Sequence, residues 1–177
     1  GGDNRGIKST LKAAVQRETL KEELKLTAAI EAGNLSLDKG SSRVVDRFFL
    51  GSQKMRGFKP GGIGPRECSS AQCNTAINDA LGGESFAVVR FEAEFPLGLP
   101  EEYGLSGGIF YDIGNLWSLS ETNANVIYEE GSWRQAIGAS IFWKTPIGPL
   151  RFNFTDAISK EIYDLDESFD LTISTRF

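Results

Sequence analysis

The chain has 177 residues, enough for one domain with a sizeable core, and carries 19 Lys and Arg against 24 Asp and Glu for a formal net charge of -5. With no His, two Cys and one Met it offers little material for a metal or nucleophile site, and without a basic stripe its acidic balance argues against a nucleic-acid partner. No apolar run reaches the length of about eighteen residues that a transmembrane helix needs. The mean hydropathy of -0.23 fits a membrane β-barrel as well as a soluble domain, because barrel strands alternate lipid-facing and lumen-facing residues.

The first residues, Gly1-Gly2-Asp3-Asn4, form no basic and apolar signal segment, so an exported parent is expected to begin upstream. Residues 11–33 are rich in Ala, Leu, Lys and Glu, which favours helix by propensity. Their period is two, however. Leu11, Ala13 and Val15 alternate with Lys12, Ala14 and Gln16, and Leu24, Leu26, Ala28 and Ile30 alternate with Lys25, Thr27 and Glu31. Sheet context overrides propensity, so the expectation is two strands with a turn at 18–22. A long connection rich in Gly and Pro follows at 51–83, and within it Cys68 and Cys73 flank the polar stretch SSAQ. A local disulfide would suit an oxidising cell envelope; two free thiols are the alternative.

Downstream the alternation is clearer. Ala87, Val89, Phe91, Ala93, Phe95 and Leu97 oppose Arg90, Glu92 and Glu94. Leu105, Ile109, Tyr111, Ile113 and Trp117 oppose Gly104, Ser106, Gly108 and Asp112, with Phe110 alone breaking the polar side. Ile137, Ala139, Ile141 and Trp143 continue the pattern, and Leu150, Phe152 and Phe154 oppose Arg151, Asn153 and Thr155. The last residues place Phe169, Leu171, Ile173, Thr175 and Phe177 on one face.

Short connections at 96–102 and 145–149 and long ones at 51–83 and 118–132 match the short periplasmic turns and long external loops of an outer-membrane barrel. On that reading the turn at 18–22 is expected outside, and the charged runs 121–130 and 160–167 are expected to be solvated loops. A soluble β-sandwich would alternate as well. Against it stand the aromatics Tyr103, Trp117, Trp133 and Trp143 near strand ends, and the five charges Arg90, Glu92, Glu94, Asp112 and Arg151 on the opposite faces.

The stretch RFFLGSQKMRGFKPGGIGPRE, residues 47–67, resembles the sixth external loop of the BamA family, whose hallmark is Arg-Gly-Phe/Tyr, here Arg56-Gly57-Phe58. VVRFEAEFPLG, GGIFYDIGNLW and IFWKTPIGPLRFNF match that family in the same order, with an alphaproteobacterial wording, followed by an aromatic terminal strand. The resemblance implies an all-β fold, a transmembrane antiparallel β-barrel, of which 1–177 is a single partial C-terminal domain with about eight of sixteen strands. It matches none of the family's POTRA domains.

The resemblance further implies that the loop 51–83 folds into the lumen, where Arg56 meets Glu92 and Asp112 while Gly51 and Gly57 permit close passage and Phe58 packs on the wall. It implies a C-terminal strand, with Phe169, Leu171, Ile173 and Phe177, that forms one side of a seam. The function implied is folding and insertion of barrel proteins in the bacterial outer membrane, without catalysis, cofactor or metal. Partners would be unfolded barrel substrates, the lipid bilayer, accessory lipoproteins, and the remaining barrel strands or a second copy. A TamA-like assembly factor or a two-partner secretion pore shares the Arg-Gly-aromatic loop and is the alternative.

Overall fold

The computed structural model describes residues 5–19, 23–68, 78–123, 125–146 and 148–173. Its first strands, β1 (Arg5–Thr19) and β2 (Leu24–Lys39), pair antiparallel along their whole length despite their helix-favouring composition. Register explains why. Leu11, Ala13 and Val15 stand opposite Ala32, Ile30 and Ala28 on one face, while on the other Lys12 faces Glu31 and Glu18 faces Lys25. A slip of one residue would set apolar against charged side chains throughout.

In the long connection after β2 lie two three-residue strands, β3 (Arg66–Cys68) and β4 (Asn78–Ala80). Beyond it come β5 (Ser85–Pro96), β6 (Leu105–Trp117), the two-residue β7 (Val126–Ile127), β8 (Arg134–Thr145), β9 (Gly148–Ser159) and β10 (Phe169–Ile173). The main sheet has seven strands in the order β1-β2-β5-β6-β8-β9-β10, and β4-β3-β7 form a small sheet that ties two long connections together. Every pairing is antiparallel.

One expectation is corrected. Because β2 pairs directly with β5 in antiparallel sense, the junction of β1 and β2 lies at the sheet end that carries the 97–104 turn and the β8–β9 turn, not among the long connections. A single strand separates the 18–22 turn from the long connection, so the two must sit at opposite ends.

The sheet is curved. Arg151 on β9 donates to Glu92 on β5, three strand spacings away, a span of about 14 Å on a flat sheet. One side-chain pair bridges it only if their shared face is concave. The core fills that concavity at one end: Leu35, Phe86, Val88 and Leu116 from the wall meet Leu50, Met55, Phe58 and Ile63 from the connection, all buried. The convex face is bare, with Ile7, Leu11, Val15, Phe91, Ile109, Ile137, Phe154 and Leu171 exposed. Tyr103, Trp133 and Trp143 are exposed too. A β-sandwich covers its apolar face with a second sheet and leaves charges outside; here charges are covered and apolar side chains are not, the arrangement of a wall facing lipid.

Candidate functional site

Strand alternation points Glu92 and Asp112 into the concavity, the first from β5 and the second from β6. Arg56 reaches both. Its Nε donates to Asp112 Oδ2 at 2.7 Å, its Nη2 to Asp112 Oδ1 at 2.5 Å, its backbone N–H to Oδ2 at 3.0 Å, and its Nη1 to Glu92 Oε2. The two parallel bonds to Asp112 use the planar fork that only Arg supplies. Asp112 is fully buried and Arg56 is 6% exposed. Burial opposes the guanidinium's charge, but the carboxylates of Asp112 and Glu92 outweigh it and hold its pKa above the usual value.

The guanidinium also lies 3.7 Å above the centre of the Phe110 ring. That ring, the one apolar break on the polar side of β6, rests over Gly138 of β8, where any Cβ would collide with it. Gly138 thus makes room for the aromatic platform, and Phe110 supports the arginine.

The neighbours of Arg56 are fitted as closely. Gly57 adopts φ 86°, a left-handed conformation, and a Cβ there would come within 2.6 Å of Thr155 Cγ2. Its carbonyl accepts from Glu167 N–H at 2.9 Å, and Lys59 N–H donates to Leu165 O at 2.9 Å. Phe58 is fully buried between them. At Gly51 a Cβ would meet Pro60 Cα at 2.7 Å, so the connection folds tightly upon itself there.

The run 160–167, expected as a solvated loop, is in part the opposite. Residues 165–167 pair with the Arg-Gly-Phe segment, and Asp164 is buried against Arg134, whose Nε and Nη2 donate to its carboxylate at 2.8 and 3.0 Å. The charged run is amphipathic by contact rather than by period, because its partners, Arg134 and the segment 57–62, come from elsewhere in the chain. Cys68 is disulfide-bonded, while Cys73 lies outside the described residues. In β10, Phe169 and Leu171 are exposed on the convex face and Ile173 closes the strand; Phe177 lies outside the described residues.

Sequence reasoning did not find three further ties. Lys54 pairs with Glu31 at 2.5 Å, Arg90 donates to Gln53 O at 3.2 Å, and Arg151 shares Glu92 with Arg56. Lys54 and Arg56 sit at strand spacing, and Glu31 lies on the polar face of β2, which was the available signal for the first. The last depends on curvature, which no local pattern encodes.

The Omp85 superfamily domain matches residues 1–177. The outer membrane protein assembly factor BamA of Neorickettsia risticii is 33% identical over 159 residues, covering 89% of this chain and 20% of that protein. A SAM50-like protein of Schizosaccharomyces pombe is 28% identical over 173 residues, covering 93% of this chain and 34% of its own length. Among solved structures, BamA from Haemophilus ducreyi lacking POTRA domains 1-3 superposes with a TM-score of 0.72 at 17% identity, covering 94% of this chain and 34% of that one. The chain therefore spans about a fifth to a third of the length of these three relatives. It belongs to the Omp85 superfamily, as part of an antiparallel β-barrel integral to the outer membrane.

Proposed function

We propose that this chain is the C-terminal part of an assembly factor that folds and inserts β-barrel proteins into the outer membrane through a strand-pairing seam, with 51–83 docked in the lumen and POTRA domains elsewhere in the parent. The observation that carries it is the Arg56 site on a wall with an open edge: a buried arginine fixes the connection inside the curved wall, while among the described residues β10 pairs with β9 alone. An unpaired strand edge templates pairing with another chain, and an unfolded barrel substrate brings a strand that can add to it. The names of the bacterial relatives support the same reading. Binding, strand exchange and local disturbance of the bilayer suffice, so no bond is made or broken and no cofactor is used. Accessory lipoproteins would complete the assembly.

The connection docked against the wall disfavours a passive open pore, since Leu50, Met55 and Phe58 occupy the concavity. The test is reconstitution of the complete polypeptide in liposomes with a urea-unfolded barrel substrate. Folding of the substrate, read by heat-modifiable migration, is expected to accelerate over empty liposomes. Equal rates with and without the protein would refute the assembly reading, and export of a soluble passenger in its place would favour a secretion pore.

A further inference from the structure

We infer that Arg151, Asn153 and Asp170 form a polar relay through which the connection held by Arg56 keeps the edge strand β10 zipped to β9. Glu92 is the junction, since it accepts from Arg56 on one side and Arg151 on the other. From Arg151 the chain of bonds continues outward: Nε donates to Asn153 Oδ1 at 2.8 Å, and Asn153 Nδ2 donates to Asp170 Oδ1 at 2.9 Å. Ser140 Oγ donates to the same Asn153 Oδ1 at 2.6 Å. With its oxygen taken twice, the amide has one orientation, and its NH2 must face Asp170. Asn153 is 1% exposed, so water does not compete for these bonds.

Asp170 stands directly opposite Asn153 in the β9–β10 register, and Thr172 Oγ1 donates to Asp170 Oδ1 at 3.1 Å. Both inward side chains of β10 among residues 169–172 thus belong to one network that begins at Arg56. Outward, Phe169 meets Phe154 with ring centres 5.3 Å apart and Leu171 is exposed, so beside the β9–β10 backbone ladder the inward network is what ties the strand to the interior. Removing Arg56 would leave Asp112 without its fork and draw Arg151, the remaining cation at Glu92, away from Asn153. A strand paired on one side is the part of a sheet that opens first. A second tie, from Glu167 N–H to Gly57 O, reaches the residues just ahead of that strand by backbone and must be separated from the relay.

The inference rests on reading β10 as the strand at the seam, but it is tested without substrate, so failure of insertion and failure of the relay are distinct results. The measurement is amide hydrogen exchange of the segment 169–173 in the complete protein in lipid nanodiscs. Arg56→Ala is expected to raise exchange there about tenfold, and Arg151→Gln, which leaves Arg56 and its carboxylates in place, is expected to do the same. In an Asp170→Ala background Arg56→Ala should add nothing, whereas Asp170→Asn, which keeps the acceptor oxygen, should behave like the unaltered protein. Unchanged exchange in Arg151→Gln overturns the relay. So does full additivity of Arg56→Ala with Asp170→Ala, which would assign the coupling to the backbone tie at Gly57.

Discussion

Asp112 is a carboxylate fully removed from water and bonded by three nitrogens of one residue, so its stability is hostage to Arg56. Breaking a buried pair from one side leaves an uncompensated charge, which is worth about 3 kcal/mol or more. Arg56→Ala is therefore expected to lower stability by about that amount and to expose the connection 51–83 to protease, while circular dichroism shows strand content nearly unchanged. Unaltered protease sensitivity would remove Arg56 as the residue that docks the connection. Gly138 makes a second, independent prediction: Gly138→Val drives the Phe110 ring out from under the guanidinium and costs about 2 kcal/mol, and Phe110→Ala in the same chain relieves only the ring's share of the clash, because a Cβ at 138 also meets the Phe154 carbonyl oxygen. Urea unfolding of the single and double variants distinguishes the two effects.

Glu84, just ahead of β5, titrates in a direction that can be worked out. Burial works against its charge, but Ser42 Oγ at 2.5 Å, Ser120 N–H at 2.7 Å and the nearby Arg47 together hold its pKa below the usual carboxylate value of 4.5. A carboxylate with a lowered folded pKa stabilises fully above its unfolded pKa and loses that contribution as pH falls through the folded one. The junction of residues 42, 84 and 120 should hold at neutral pH and loosen at a pH below 4.5. Amide exchange at 118–120 measured down that range would show the loosening; a flat profile would mean Glu84 is not what fixes these segments.

At the level of elements, the strands divide by how their two faces are covered. β5, β6, β8 and β9 are legible because lipid demands apolar residues outside and the concavity accepts polar ones inside, which enforces period two. At the other end of the wall Phe86, Val88 and Leu116 face inward as well. There the docked connection turns the inner face into a core, both faces are apolar, and alternation is blurred. β1 and β2 are legible only against their propensity, through their period of two; the opposite charges that meet at Lys12 and Glu31 and at Glu18 and Lys25 depend on a register that alternation does not fix. Arg56, Glu92 and Asp112 were legible as a group through resemblance, and alternation independently turned the two acids inward. Asp164 was not, because its partner Arg134 is 30 residues away and the Tyr128 ring over that guanidinium comes from another connection. Asp164→Asn is expected to free 160–167 for proteolysis while leaving the bonds at Arg56 intact. If 160–167 stays protected, the Arg134 pair is not what folds that run inward.

For the whole molecule, the two sheet edges are unlike. β1 is exposed on both faces along nearly its whole length and has one neighbour among the described residues, whereas β10 is held from inside by Asn153 and Arg151. An antiparallel wall in lipid cannot leave a row of N–H and C=O groups unpaired, so β1 must meet another strand. Residues 1–177 expressed alone are therefore expected to associate or aggregate rather than migrate as one heat-modifiable monomer, and the complete polypeptide is expected to migrate as one. Semi-native electrophoresis of both decides it. A compact monomer from 1–177 alone would mean that β1 and β10 close on each other.

The ties of the Arg-Gly-Phe segment also order events in time. In synthesis Arg56 emerges 36 residues before Glu92 and 56 before Asp112, and Gly57 precedes its partner Glu167 by a wider gap still. Contacts between residues so far apart in sequence form late, after intervening loops have been closed. The connection therefore precedes the strands that hold it, and its docking against 165–167 follows the synthesis of β5 through β9. Burial of that arginine is in effect a record that β5 and β6 have been built.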